Sequence, residues 1–160
     1  MGTTSTPDAL NAFVRVLLAK TPTKPAPARY QLQTASAAVT HFGGLCAYCA
    51  ERPPVEFDHA MPINRHHLGE NVVGNLIPGC RECNHEKKDG SRPYGLDFRQ
   101  YLNGKKNGTD RIGKIAAYMR ENGYTPLGDD PAIKALVEAA RDDVVKALEN
   151  CVAEIQQRRR

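Results

Sequence analysis

No stretch of this 160-residue chain approaches the ~18 consecutive apolar residues that a membrane-spanning helix needs; a run such as Val14 to Ala19 is already broken by Arg15. A membrane-embedded protein is not expected. The first ten residues lack the basic and apolar regions of a secretory signal, so the expected location is cytoplasmic. Internal repeats and long low-complexity segments are also missing, and with them the signs of a solenoid or a biased tail. Nor is the composition extreme: 41% apolar and 25% charged residues form a globular balance, unlike a fibrous or wholly disordered chain. At 160 residues, one compact core with short extensions is the expected organisation.

What is present is unevenly spread. The formal charge is +4, and residues 81–120 alone carry ten Lys and Arg against five Asp and Glu. Such a segment attracts phosphates, although a charge run is more often a solvated face. Five cysteines occur, four of them as Cys46-Ala-Tyr-Cys49 and Cys80-Arg-Glu-Cys83. Two intervening residues let both thiolates of a tight turn reach one metal, and two such pairs complete a tetrahedral zinc site. Unrelated buried cysteines or disulfides would not predict this paired spacing, and the expected reducing compartment disfavours disulfides.

Thirty residues separate Cys49 from Cys80, more than a plain zinc ribbon requires. Alternating apolar and polar residues around Phe57 predict a short strand, Leu76-Ile77 a second, and Arg65 to Gly74 the loop between them. A helix is expected from the second cysteine pair to Lys88, stopping before Gly90. The fold class is therefore α+β: strand, loop, strand and helix held by zinc.

Asp58-His59, Asn75-Leu76 and Cys80-x-x-Cys83-Asn84-x-x-Lys87 together resemble the HNH endonucleases, in the branch whose ββα-metal core is braced by a four-cysteine zinc. The resemblance covers about residues 42–90. It implies that Asp58 and Asn84 are ligands of a catalytic divalent metal, Mg²⁺ or alternatively Mn²⁺ or Ni²⁺. His59 is then the general base, and Asn75 holds the loop and orients His59. Lys87 takes the basic position that meets a phosphate, with Arg81 and Lys88 as further DNA contacts, and the zinc on Cys46, Cys49, Cys80 and Cys83 is structural. His85 competes with Asn84 as ligand because imidazole binds metals better than an amide, but it lies ~100° further round the helix.

Those residue types suit phosphodiester hydrolysis. A hard metal neutralises charge on the scissile phosphate, and a neutral imidazole has a pKa near working pH. Neighbouring strand residues face opposite sides, so the strand is expected to bend or end at Asp58-His59 for both to reach one cleft. His66 and His67 are expected to be solvated.

Flanking segments read as helices. Thr6 and Pro7 start one with Leu10, Phe13, Val14, Leu17 and Leu18 on a stripe; a Pro-rich linker occupies Thr21 to Ala28, and Tyr30 to Phe42 form a second. Asp97 is expected to cap a short helix, Thr109 another that ends at Gly123, and Asp130-Pro131 a long one to Gln157. Lys105, Lys106, Arg111, Lys114 and Arg120 are additional candidates for backbone contact. The long helix carries Ile133, Val137, Ala140, Val144, Ala147, Cys151 and Ile155 at seam-like spacing, which suits folding back on the core or pairing two copies in a homodimer. The expected division is thus 1–28 (helix and linker), 29–96 (nuclease core) and 97–160 (helical extension). The expected activity is metal-dependent DNA cleavage; the alternative is a non-catalytic zinc module that binds nucleic acid. Redox use of the Cys-x-x-Cys pairs is disfavoured, since two matched pairs suit zinc better than thiol exchange.

Overall fold

The computed structural model describes residues 6–20, 32–88 and 95–159. The expected linker and the stop at Gly90 lie outside them. In chain order the elements are α1 (Thr6–Lys20), α2 (Leu32–His41), β1 (Glu56–His59), β2 (Leu76–Gly79), α3 (Arg81–Lys87), α4 (Phe98–Leu102), α5 (Gly108–Glu121), a 3₁₀ turn (Leu127–Asp129) and α6 (Pro131–Arg158). This is a mixed α+β arrangement around one small antiparallel sheet.

Two four-residue strands cannot stand alone in water, so their neighbours supply the stability. A single apolar cluster surrounds them, with Phe42 from the end of α2, Tyr48 from the first knuckle, Ile77 from β2, and Phe98, Tyr101, Ile115 and Tyr118 from α4 and α5. Tyr48 and Tyr101 meet edge to face at 5.2 Å, the arrangement their ring quadrupoles favour. The cluster extends from Ala38 to Tyr124, well past Cys83.

Local chemistry sets several element ends. Asp97 caps α4 through the backbone N–H groups of Arg99 and Gln100, and the Gln100 side chain completes a capping box. Asp130 caps α6 ahead of Pro131 in the same way. α5 departs from expectation: it begins at Gly108 behind Asn107 in a left-handed conformation, not behind a Thr109 cap. Gly108 packs so closely on the Leu102 carbonyl that a Cβ there would collide with it, which fixes where α5 can start.

A second, smaller cluster joins Val14 and Leu18 of α1, Leu68 of the inter-strand loop and Val137 of α6, with Ile133 beside them. The first turns of α6 thus fold back as one of the two expected behaviours requires. Further along, Leu148, Val152 and Ile155 stand exposed. Among the described residues no helix is long and apolar enough to cross a membrane.

Candidate functional site

The two cysteine pairs meet. One Sγ from each of Cys46, Cys49, Cys80 and Cys83 lies within 4.8 Å of all the others, the spacing from which four thiolates close on one metal ion. Backbone bonds shape the cradle: Cys46 N–H donates to Arg52 O at 2.8 Å, Ala50 N–H to Cys46 O at 2.9 Å, and Ala47 N–H to Pro78 O at 2.8 Å. The last bond ties the first knuckle to β2. The Cys46 thiol pKa is pulled down, chiefly by a hydrogen bond from Cys83.

Positive charge flanks these sulfurs. Arg52 approaches Cys80 Sγ at 4.0 Å. Arg111, one of the candidates for backbone contact, is neither solvated nor free for DNA but turns inward: it is 9% exposed and its Nε donates to Ala47 O at 2.8 Å. Burial lowers its pKa against the pull of Cys46 and Cys49, and its terminal NH2 is buried with no acceptor. A donor left over on a cation that feels Cys46 and Cys49 fits thiolates that carry negative charge when they hold a metal.

β1 ends at His59, yet its pairing stays regular through the last two residues, with Asp58 opposite Ile77 and His59 opposite Leu76. Asp58 and His59 therefore keep the alternation of a strand. Asp58 is buried, and its Oδ2 accepts from Tyr48 OH at 2.7 Å and pairs with Lys87 Nζ at 3.0 Å. His59 is half-buried with Nε2 3.2 Å from Asn71 Oδ1. Its pKa is lowered mainly by burial, which favours the neutral imidazole at pH 7.

Asn75 is fully buried and saturated. Its Oδ1 accepts from Met61 N–H at 2.7 Å, and its Nδ2 donates to Met61 O at 3.0 Å and Glu70 O at 2.7 Å. It holds the two ends of the inter-strand loop together just beyond His59, and the residue that touches the imidazole is Asn71. Gly69 completes this clamp, because a Cβ there would strike the Met61 carbonyl.

On α3, Asn84 faces inward at 1% exposure with Oδ1 buried and unpartnered, whereas His85 faces out. An orphaned buried amide oxygen is costly, and a bridging water or a hard cation would each satisfy it. Arg81 at the start of the same helix and Lys88, the residue that caps its end, are exposed. Lys87 is not available to a phosphate as expected: it is 2% exposed, and its ammonium donates to the His59 carbonyl at 2.7 Å besides pairing with Asp58. Burial pushes its pKa down while Asp58 holds it up. His67 is likewise not solvated; it is half-buried with Nδ1 3.8 Å from Asp97 Oδ2, while His66 is exposed.

Residues 46–90 match the HNH endonuclease family. The HNH segment begins at Cys46 and includes both strands and α3, so the match covers the four cysteines together with Asp58, His59, Asn71, Asn75, Arg81, Asn84, Lys87 and Lys88, but not Arg111. No curated protein and no solved structure matches the chain. Three contributors were not found by sequence reasoning. Tyr48 lies inside the Cys-x-x-Cys turn of the HNH segment and carried a weak signal as its aromatic; Asn71 and Arg111 carried none that distinguished them from turn and surface residues.

Proposed function

We propose that this protein is a metal-dependent endonuclease that hydrolyses phosphodiester bonds in DNA, with zinc on Cys46, Cys49, Cys80 and Cys83 as a structural brace. The observation that carries the reading is the neutral-leaning, half-buried His59 at the end of β1, joined through Lys87 to the helix that presents the unpartnered Asn84 Oδ1. Asp58 and Asn84 supply two hard oxygen ligands, which suits a divalent ion such as Mg²⁺ or Mn²⁺. When bound, that ion would neutralise charge on the scissile phosphate and leaving oxygen.

The remaining work falls to this chain's own groups. With a proton on Nε2, His59 donates to Asn71 Oδ1 and leaves the Nδ1 lone pair to take a proton from the attacking water. Asn75 holds Met61 and Glu70 and so fixes the path of the chain leaving His59. Arg81 and Lys88, exposed beside the site, meet the phosphate backbone. Lining up Asn71, His59 and the phosphate is positioning work, which converts a collision into an oriented encounter.

One observation favours a second reading. Asp58 already has a positive partner in Lys87, so the same fold could serve as a zinc-dependent nucleic-acid-binding module without catalysis. Supercoiled plasmid separates the two. Metal-dependent nicking or linearisation that His59→Ala abolishes, with zinc content and DNA retention unchanged, supports the nuclease. DNA retention without cutting in Mg²⁺, Mn²⁺ or Ni²⁺ supports the binding module.

A further inference from the structure

Lysines on short helices normally end in water, because burying an ammonium forfeits its hydration. Lys87 sits on α3 three residues beyond Asn84 and is nonetheless 2% exposed. Its Nζ is held by two groups of β1, the His59 carbonyl at 2.7 Å and Asp58 Oδ2 at 3.0 Å. Tyr48 OH donates to the same Oδ2 at 2.7 Å, so a cation and a hydroxyl already occupy that oxygen. The aromatic ring of Tyr48 also lies under the ammonium, 5.9 Å from Nζ to its centroid.

The consequence is two cations for one carboxylate. A divalent ion drawn to Asp58 and Asn84 approaches a fixed positive charge already within hydrogen-bond distance of Asp58, in a setting where water screens poorly. Taking Asp58 and Asn84 as the metal ligands, as in the proposed function on which this rests, we propose that Lys87 is a resident counter-ion that competes with the divalent metal for Asp58. In the metal-free protein it neutralises Asp58 and clamps the main chain of His59. Metal entry draws the carboxylate away from Nζ, so metal affinity is set by the cost of breaking the Lys87 pair. A protein built this way binds its metal weakly and keeps the β1 strand in register when metal is scarce.

The test is Mn²⁺ binding by the zinc-loaded full chain, read from the electron paramagnetic resonance signal of free Mn²⁺. Lys87→Met should bind Mn²⁺ at least ten-fold more tightly than the unaltered protein. Lys87→Arg, which keeps the charge, should bind no more tightly than the unaltered protein, and Asp58→Asn should lose binding. If the unaltered protein binds Mn²⁺ through Asp58 and Lys87→Met binds it equally or less tightly, the competition is refuted while the metal site stands. If no variant binds Mn²⁺, both the metal site and the competition fall. Should Lys87→Met not fold, the unaltered protein still decides: the ¹⁵N resonance of the Lys87 ammonium must move on saturation with Mg²⁺, and an unmoved resonance overturns the proposal.

Discussion

Replacing Asn75 by alanine probes the clamp beneath the candidate site. The side chain is fully buried and makes three hydrogen bonds to main chain, one from Met61 N–H and one to each of the Met61 and Glu70 carbonyls. Alanine leaves that N–H without an acceptor and both carbonyls without this donor, in a place water does not reach. At about 1–3 kcal/mol for each buried group left unsatisfied, with the carbonyls toward the lower end, the expected loss is about 3–6 kcal/mol. Against a total stability of about 5–15 kcal/mol, that is a large fraction. Urea denaturation of the zinc-loaded protein measures it, and the midpoint should fall with little change in slope. Asn75→Asp adds a discriminating arm: it keeps the acceptor for Met61 N–H but sets a carboxylate against two carbonyl oxygens, so its cost at neutral pH should equal or exceed that of alanine. A loss below about 1 kcal/mol for Asn75→Ala would refute the clamp.

Other outcomes follow from the same geometry. The His67 pKa is lowered from 6.5 mainly by burial, so the unfolded chain takes up its proton first as pH falls. Its stabilising contribution is therefore present above 6.5 and is lost as pH drops through the folded value; denaturation midpoints measured from pH 7.5 to 5 should decline, less steeply in His67→Gln. The same direction of shift in His59 predicts that cleavage is retained at pH 7 and falls as pH is lowered below 6.5, as initial plasmid-nicking rates would show. Stripping zinc with a strong chelator should collapse the cooperative unfolding transition, and Cys80→Ser should lower the zinc stoichiometry measured by mass spectrometry. Arg111→Met should release zinc to a chelating dye several-fold faster than the unaltered protein, whereas Lys106→Met, at an exposed position on the preceding loop, should not.

Much of this was legible from residue types and spacing. The cysteine pairs, the two strands about Phe57 and Ile77, the helix after Cys80 and the Asp97 and Asp130 caps all depend on short-range pattern, and each forms where that pattern places it. Side-chain direction was less legible, because it depends on contacts distant in sequence. Lys87 and Arg111 look like any other cations in a basic segment, and only the folded chain brings one to Asp58 and the other, 64 residues away, to Ala47. The strand rule did warn that Asp58 and His59 could not share one face without a bend. The structure keeps the alternation and engages Asp58 with Tyr48 and Lys87. Asn71 was illegible for another reason: a lone asparagine in a turn is common, and nothing local marks the one that meets an imidazole.

The reach of the core past the family match bears on how this domain can be handled as a part. Tyr48 of the first knuckle packs against Tyr101, Phe42 against Tyr118, and Ala47 is held by Arg111. A fragment cut at residue 90 would lay these surfaces open to water and leave the knuckle without its arginine. The HNH segment is therefore not a portable cassette. Anyone grafting this chain onto another protein should join outside residues 32–124; α6 is about 42 Å long for its 28 residues, and beyond the first turns that pack on the core it offers a helical tether.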